Sequence, residues 1–381
     1  MKFTWRSTAV LMGVAAGLSG GALAGDEPLP VEKLVMRERI PSTGPLAFVS
    51  GNDRLLMVDA ETLKWQAILG IPGWRGQFVL SKDPTKAVLT YSWWERGTTG
   101  KRTDLVEVWD IPTASSTGVS IEVPPRLALR GNDRTTIGLS ADEKFLFLQN
   151  ATPATSVTVV DMTAKKFASE IPMPGCFGIY PVTTVPNKFA ALCGDGQVAT
   201  VTVDGKGKST GIERSGKLFD ADVDPLFPNY VRDGDMLYFV SYNGDVYHID
   251  VSGPAAKLAA KYSIVEGVPG GWKPAGEQLL AFAPEGKVAF VLMFPNSKDG
   301  DHRSFAKEVW AIDVANQKVL SRSTIFSTNG IAYGAKPTPA LYANDNDAKQ
   351  LVRYAVDPNA GWTIRVDKRH TVAASQRIEV R

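Results

Sequence analysis

Residues 157–171 read VTVVDMTAKKFASEI. A run of β-branched residues ends in Asp161, a short polar turn follows, and a second strand-like run begins, as in two antiparallel strands joined by a tight connection. The same pattern recurs in LLMVDAETLKWQAIL (55–69, Asp59), VEVWDIPTASSTGVSIEV (106–123, Asp110) and VATVTVDGKGKSTGI (198–212, Asp204). It returns in VYHIDVSGPAAKLAAKYSI (246–264, Asp250), VWAIDVANQKVLSRSTI (309–325, Asp313) and LVRYAVDPNAGWTIRV (351–366, Asp357). Successive aspartates are 51, 51, 43, 46, 63 and 44 residues apart.

Between copies lies a further strand signal, often with a hairpin turn: SADEKFLFLQN (140–150), RDGDMLYFVSYNGD (232–245) and APEGKVAFVLMF (283–294). Helical periodicity is almost absent, and its best stretch, Ala255–Ala260, predicts a single turn inside a repeat. A unit of about 40–50 residues with about four strands is the signature of a propeller blade, which buries its two faces only by packing against neighbours. The expectation is an all-β, seven-bladed β-propeller of four-stranded antiparallel blades, forming one domain over residues 25–381. The 63-residue interval holds a charged loop, Asn296–Arg303, whose composition fits a solvated hairpin tip.

The first 24 residues, MKFTWRSTAVLMGVAAGLSGGALA, read as a cleaved secretory leader. Lys2 and Arg6 supply the basic region, Ala9–Leu18 a short apolar run, and Ala22-Leu23-Ala24 the small-x-small cleavage site. The whole sequence has 42 Lys+Arg and 40 Asp+Glu, a formal charge of +2 that belongs to the leader. The remaining 357 residues, an average of 51 for each of seven units, are formally neutral, which argues against nucleic-acid binding. Nothing else resembles a membrane span, so the expected location is the periplasm. In an oxidising compartment Cys176 and Cys193 predict a disulfide across neighbouring strands, with the turn Val185-Pro186-Asn187 between them. Closing a loop of that size stabilises by roughly 3 kcal/mol in the chain-entropy account.

Chemistry-bearing motifs are sparse. There are 3 His and 2 Cys, with no C-x-x-C, and His248, His302 and His370 lie outside metal-ligand spacing, so no metal site is expected. There is no nucleophile elbow, P-loop or dinucleotide fingerprint. The glycines of Gly175–Gly178 and Gly267–Gly271 read as turn glycines. Trp93 and Trp94 lie on a strand, where core packing is the usual reason for tryptophan. Trp74 reads as part of a glycine-flanked loop, Pro72-Gly73-Trp74-Arg75-Gly76, a better setting for an interface or pocket lining.

Several stretches resemble the heavy subunit of the quinoprotein amine dehydrogenases, and within that group aralkylamine dehydrogenase more than methylamine dehydrogenase. They are Gly100–Asp104 running into VEVWD, FLFLQNATPATSVTVVD (145–161), GCFGIYP (175–181), LCGDG (192–196), FVSYNGDVY (239–247), Pro269–Trp272 and EVWAID (308–313). The resemblance implies a propeller in an α2β2 heterotetramer. Its light chain carries tryptophan tryptophylquinone and the catalytic base, primary amines are oxidised to aldehyde and ammonia, and electrons pass to a small blue copper protein. It further implies a single heavy-chain bridge, matching Cys176 and Cys193, no catalytic residue in this chain, and an aromatic substrate-channel residue at Trp74, where the family usually has Phe. Two other readings stand beside it: a periplasmic binding or interaction propeller without catalysis of its own, and a propeller hydrolase, which the few histidines disfavour.

Overall fold

The computed structural model describes residues 38–381 apart from 43, 52–53, 71–73, 131–132 and 373–376. The leader, residues 1–24, and the start of the expected domain at residue 25 lie outside the described residues. The strands form seven antiparallel sheets, each a blade.

From the innermost strand outward, the first blade is Arg377–Val380, Leu46–Ser50, Arg54–Asp59 and Trp65–Gly70. The second is Trp74–Leu80, Lys86–Trp94, Arg102–Asp110 and Ser115–Val123. The third is Ile137–Leu139, Phe145–Asn150, Ser156–Asp161 and Lys166–Pro172. The fourth is Cys176–Pro181, Lys188–Cys193, Val198–Val203 and Ser209–Arg214. The fifth is Val231–Asp233, Met236–Val240, Asp245–Asp250 and Lys257–Ser263. In the sixth, Lys273–Pro274 and Leu280–Ala283 both pair with Val288–Phe294, followed by Ala306–Asp313 and Lys318–Thr328. The seventh is Ile331–Gly334, Ala340–Asp345, Gln350–Asp357 and Thr363–Thr371. The extra strand and the loop after Phe294 account for the 63-residue interval.

The repeated aspartates now have a physical role. Each ends the third strand of its blade, or follows it by one residue in the case of Asp204, and its carboxylate caps the turn to the fourth strand. Asp59 Oδ1 accepts from the amides of Glu61 and Thr62, Asp161 Oδ1 from Thr163 and Ala164, and Asp313 Oδ1 from Ala315 and Asn316. Asp110, Asp204, Asp250 and Asp357 cap their turns in the same manner. The Thr113 hydroxyl holds Asp110, and the Lys208 amide holds Asp204, below the ordinary carboxylate range. Every blade also carries a register shift between its third and fourth strands, for example between Met57 and Val58 and between Val159 and Val160. Such a bulge adds local twist to the outer part of the blade.

Burial follows strand position. All six residues of Phe145–Asn150 are buried, whereas all six of the outer strand Ser209–Arg214 are exposed. The core lies between blades. One cluster joins the fifth, sixth and seventh through Tyr238, Phe290, Trp310 and Leu341, and blades that pack this way bury their faces against one another. Gly138, on the innermost strand of the third blade, sits where an added Cβ would lie 2.7 Å from Pro181 Cγ. Close approach of adjacent innermost strands therefore requires glycine there.

Some expectations are corrected. Ala255–Ala260 is not a helical turn: the outer strand Lys257–Ser263 runs through it, because pairing with Asp245–Asp250 overrides alanine's helix preference. Trp93 is 44% exposed and is not core. Trp74 opens a strand and does not sit in a loop; its Cα registers with Ser92, and a bulge separates it from Gln77. Cys176 and Cys193 are disulfide-bonded, directly opposed on the two inner strands of the fourth blade.

The ring is closed by the C-terminal strand, which pairs with Leu46–Ser50. Its axis-facing edge is met by one side chain of the sixth blade. Gln278 Nε2 donates to the Ile378 carbonyl at 2.6 Å, and the Ile378 amide donates to Gln278 Oε1 at 2.9 Å. All three groups are buried. Replacing Gln278 by leucine leaves both backbone groups without that partner, and at about 1–3 kcal/mol per buried unsatisfied group the variant loses about 2–6 kcal/mol in urea unfolding.

His248 lies on the third strand of the fifth blade, edge-on to Tyr238 and Tyr262 at 4.7 and 5.4 Å, with Nε2 buried and without a hydrogen-bond partner. Burial pushes its pKa below the ordinary 6.5. The unfolded chain therefore takes up this proton first as pH falls. The stabilising contribution is complete above about pH 6.5 and declines as pH drops through the folded-state pKa. The urea midpoint of the wild type should fall between pH 7 and 5, and His248→Phe should remove that part of the decline.

Candidate functional site

Antiparallel order gives the propeller two faces. The aspartate-capped turns, joining third to fourth strands, lie on one. The turns from second to third strands, and the connections entering each innermost strand, lie on the other. Most of the quoted family-like stretches fall on this second face. Gly100 and Lys101, Ala151–Thr155, Gly194–Gln197 and Ser241–Gly244 are the second-to-third turns of four consecutive blades. Gly175 and Cys176 enter the innermost strand of the fourth blade, and Pro269–Trp272 enters that of the sixth. EVWAID is the exception, being a third strand.

These stretches are held by buried polar networks. Arg102 and Asp104 form a bidentate ion pair, Nε to Oδ1 at 2.7 Å and Nη2 to Oδ2 at 2.8 Å. Arg102 Nη2 also donates to the Leu127 carbonyl and to Ser92 Oγ, and the Leu127 amide donates to Asp104 Oδ2 at 2.9 Å. The Arg102 guanidinium lies 5.3 Å from the ring centre of Trp94, a cation–π distance. Asp104 is fully buried, so its charge depends on this pairing. In the next blade Asn150 Nδ2 donates to Ser156 Oγ and Thr158 Oγ1. Ser156 donates to Glu170, which receives Arg126 through both carboxylate oxygens. Gln149 Oε1 accepts from the Gly178 amide at 3.0 Å, tying the third blade to the bridged strands of the fourth.

On this frame the face presents apolar groups to solvent. Trp93 is 44%, Phe305 41% and Val223 76% exposed, at the tops of the second and sixth blades and ahead of the fifth. By backbone register Trp74 lies opposite Ser92 and Trp93 opposite Thr103, at the same end of the second blade. The loop Asn296–Arg303 also lies here. Its tip is exposed as expected, but it is anchored at its end. His302 stacks on Tyr242 with ring centres 4.6 Å apart, and its carbonyl accepts from the Gly276 amide. His370 is exposed on the outer strand of the seventh blade, so the structure does not bring the three histidines together. Among the described residues no cluster of three or more His, Cys, Asp or Glu could hold a metal ion. Sequence reading missed the buried Arg102–Asp104 pair, because an i,i+2 pair on a strand looks like ordinary surface charge until Leu127 is folded over it.

Methylamine dehydrogenase heavy chain of Methylophilus methylotrophus is 27% identical over 281 residues, covering 72% of this chain and 68% of that protein. The heavy chain of Methylorubrum extorquens is 27% identical over 364 residues, covering 91% and 83%. Among solved structures, a putative 6-phosphogluconolactonase of Bacteroides fragilis superposes with a TM-score of 0.61 at 12% identity, covering 89% of this chain and 99% of that one. A functionally unknown protein of Desulfotomaculum acetoxidans does so with a TM-score of 0.58 at 13% identity, covering 88% and 98%. These structures share the fold alone. The family model for methylamine dehydrogenase heavy chain matches residues 52–373, most of the sequence, and the chain belongs to that family.

Proposed function

We propose that this chain is the heavy subunit of a periplasmic amine dehydrogenase, exported by its leader and assembled with a light chain in an α2β2 heterotetramer. The observation that carries the reading is the convergence of the family-like stretches on one propeller face, where Trp93, Phe305 and Val223 leave apolar surface open. A partner chain that covers this face would bury aromatic area held on a rigid frame, the usual composition of an interface core.

The cofactor implied by the family, tryptophan tryptophylquinone, is made from two tryptophans of the light chain. The indole pair Trp272 and Trp310 in this chain does not fit that group. Their ring centres are 5.8 Å apart, and the Arg322 guanidinium packs on both at 4.7 and 4.5 Å, an arrangement suited to packing. The quinone on the light chain would accept the electrons of the amine, with a blue copper protein as the acceptor beyond it. This chain's part is to hold the light chain, exclude water and shape the amine entrance. Trp74, at the corner of the second blade beside Ser92, is the residue we assign to the entrance, with an aralkyl amine as the substrate class.

Two outcomes test the reading. The purified chain alone should show no quinone absorbance and no amine-dependent dye reduction, and both should appear only when a small cysteine-rich chain co-purifies from the periplasm. In that complex Trp74→Ala should change the ratio of kcat/KM between phenethylamine and methylamine at least several-fold. An unchanged ratio removes Trp74 from the entrance.

A further inference from the structure

The two sulfurs of the fourth-blade bridge have unlike neighbours. Cys176 begins the innermost strand and Cys193 ends the second, directly opposite. Both are buried in one apolar cluster with Phe147, Met173, Ile179 and Ala191. Arg214, the last residue of the outer strand, donates through Nη2 to Cys176 Sγ at 3.5 Å. Its Nη1 donates to Asp195 Oδ2 at 3.1 Å. Asp195 lies in the turn after Cys193, and its other carboxylate oxygen accepts from the Gln197 amide. The turn therefore holds the carboxylate, and the carboxylate holds the guanidinium against one sulfur. Cys193 Sγ instead lies 4.0 Å from the Ala191 carbonyl oxygen.

In the reduced chain these neighbours act in opposite directions. Apolar burial disfavours the thiolate at both positions. A guanidinium is a fixed cation that only donates, so it favours Cys176 as a thiolate. A carbonyl oxygen only accepts, so it favours Cys193 as a thiol with its proton in place. The thiolate is the form that attacks a disulfide. The Arg214 side chain is 40% exposed, so solvent screens its charge and the difference between the two cysteines is one of rate.

We infer that Arg214 makes Cys176 the nucleophile of bridge formation and leaves Cys193 to resolve the intermediate. The Cys176 thiolate attacks one sulfur of a disulfide-bearing oxidant. A Cys176–oxidant bond forms, the oxidant's own S–S bond breaks, and its other sulfur leaves as a thiolate with the electron pair. Cys193 then gives its proton to water and attacks Cys176 Sγ, and the remaining oxidant sulfur leaves as a second thiolate. The two cysteines lose two electrons, and the oxidant's disulfide gains them as two thiols. This chemistry belongs to the maturation of the chain and is independent of its part in amine oxidation.

Two single-cysteine chains test the inference. Cys193→Ser retains only Cys176, and Cys176→Ser retains only Cys193. Each is reacted in native buffer at neutral pH with 2-hydroxyethyl disulfide, a neutral probe, and mixed-disulfide formation is followed by intact mass. Cys176 should react several-fold faster than Cys193. A tenfold difference in thiolate share is worth about threefold in exchange rate, because a more acidic thiolate is less nucleophilic. Arg214→Gln should therefore slow Cys176 about threefold and leave Cys193 unchanged. Asp195→Asn removes the counter-charge of Arg214 and should quicken Cys176. Loosened packing would instead quicken both cysteines, so the signs separate activation from exposure. Where a variant lacks a cooperative unfolding transition, limiting iodoacetamide on the reduced wild-type chain decides, with Cys176 expected to carry the larger share of label in peptide mass analysis. A Cys176 rate no greater than that of Cys193, a rate that Arg214→Gln leaves unchanged or raises, or equal labelling of the two cysteines would overturn the inference.

Discussion

The structure depends on ring closure. Seven blades packed side by side still leave two ends, and these are joined by antiparallel pairing of Arg377–Val380 with Leu46–Ser50. Val49 and Ile378, partners in that pairing, are 329 positions apart in sequence. Against the 17-residue separation of the disulfide, closing so long a loop costs roughly 2–3 kcal/mol more, since loop entropy grows only logarithmically. The contacts that offset it are spread over several blades. Gln278 pairs with the inner edge of the closing strand, the Tyr342 hydroxyl donates to the Ala60 carbonyl, and Arg381 reaches the carbonyls of Lys82 and Asp83. The seventh, first and second blades are thereby fastened to one another, and the apolar clusters between blades are held buried.

How much of this was legible depends on whether a feature is local. The aspartate turns are local: carboxylate, polar turn and strand lie within a few residues, so Asp59 through Asp357 mark the blades and their number correctly. Closure is not local. RIEV, residues 377–380, is too short to show a pattern, and nothing near it names Leu46–Ser50 as its partner. The seven-unit count was right even though the first blade takes its innermost strand from the other end of the chain. Ala255–Ala260 went astray for the related reason that intrinsic propensity speaks only for the isolated segment, while Asp245–Asp250 supplies the pairing partner.

The candidate site divides along the same line. The family-like stretches could be recognised as strings, but not what they do. Arg102, Ser92, Asp104 and Leu127 come from three different segments, and the ion pair exists only because the Leu127 backbone closes over Asp104. Removing one partner of such a pair strands a buried charge, at a cost of about 3–5 kcal/mol, so the motif is constrained by stability before function is considered. The exposed aromatic at Trp93 is the opposite case. Its strand position suggested packing, yet it lies one residue beyond Ser92, where the register with the innermost strand ends, and its indole is exposed. Identity of residue type did not separate the two; position along the strand did.

Both faces are fixed between blades as well as within them. On the aspartate face, each turn is capped by its own carboxylate, and the neighbouring blade adds a side chain to several of them, as Tyr342 does at the Ala60 carbonyl and Lys144 at that of Gly205. On the other face, the networks run between blades, from Arg102 to Leu127 and from Gln149 to Gly178, so the shape of that surface is fixed collectively. An axial cavity lined in part by Arg377 and Glu379 couples the faces to the ring itself, because both residues belong to the closing strand. Their desolvation opposes closure, while the backbone pairing on either side of them favours it. The strand least visible in the sequence is thus the one on which both the fold's integrity and the cavity's charge depend.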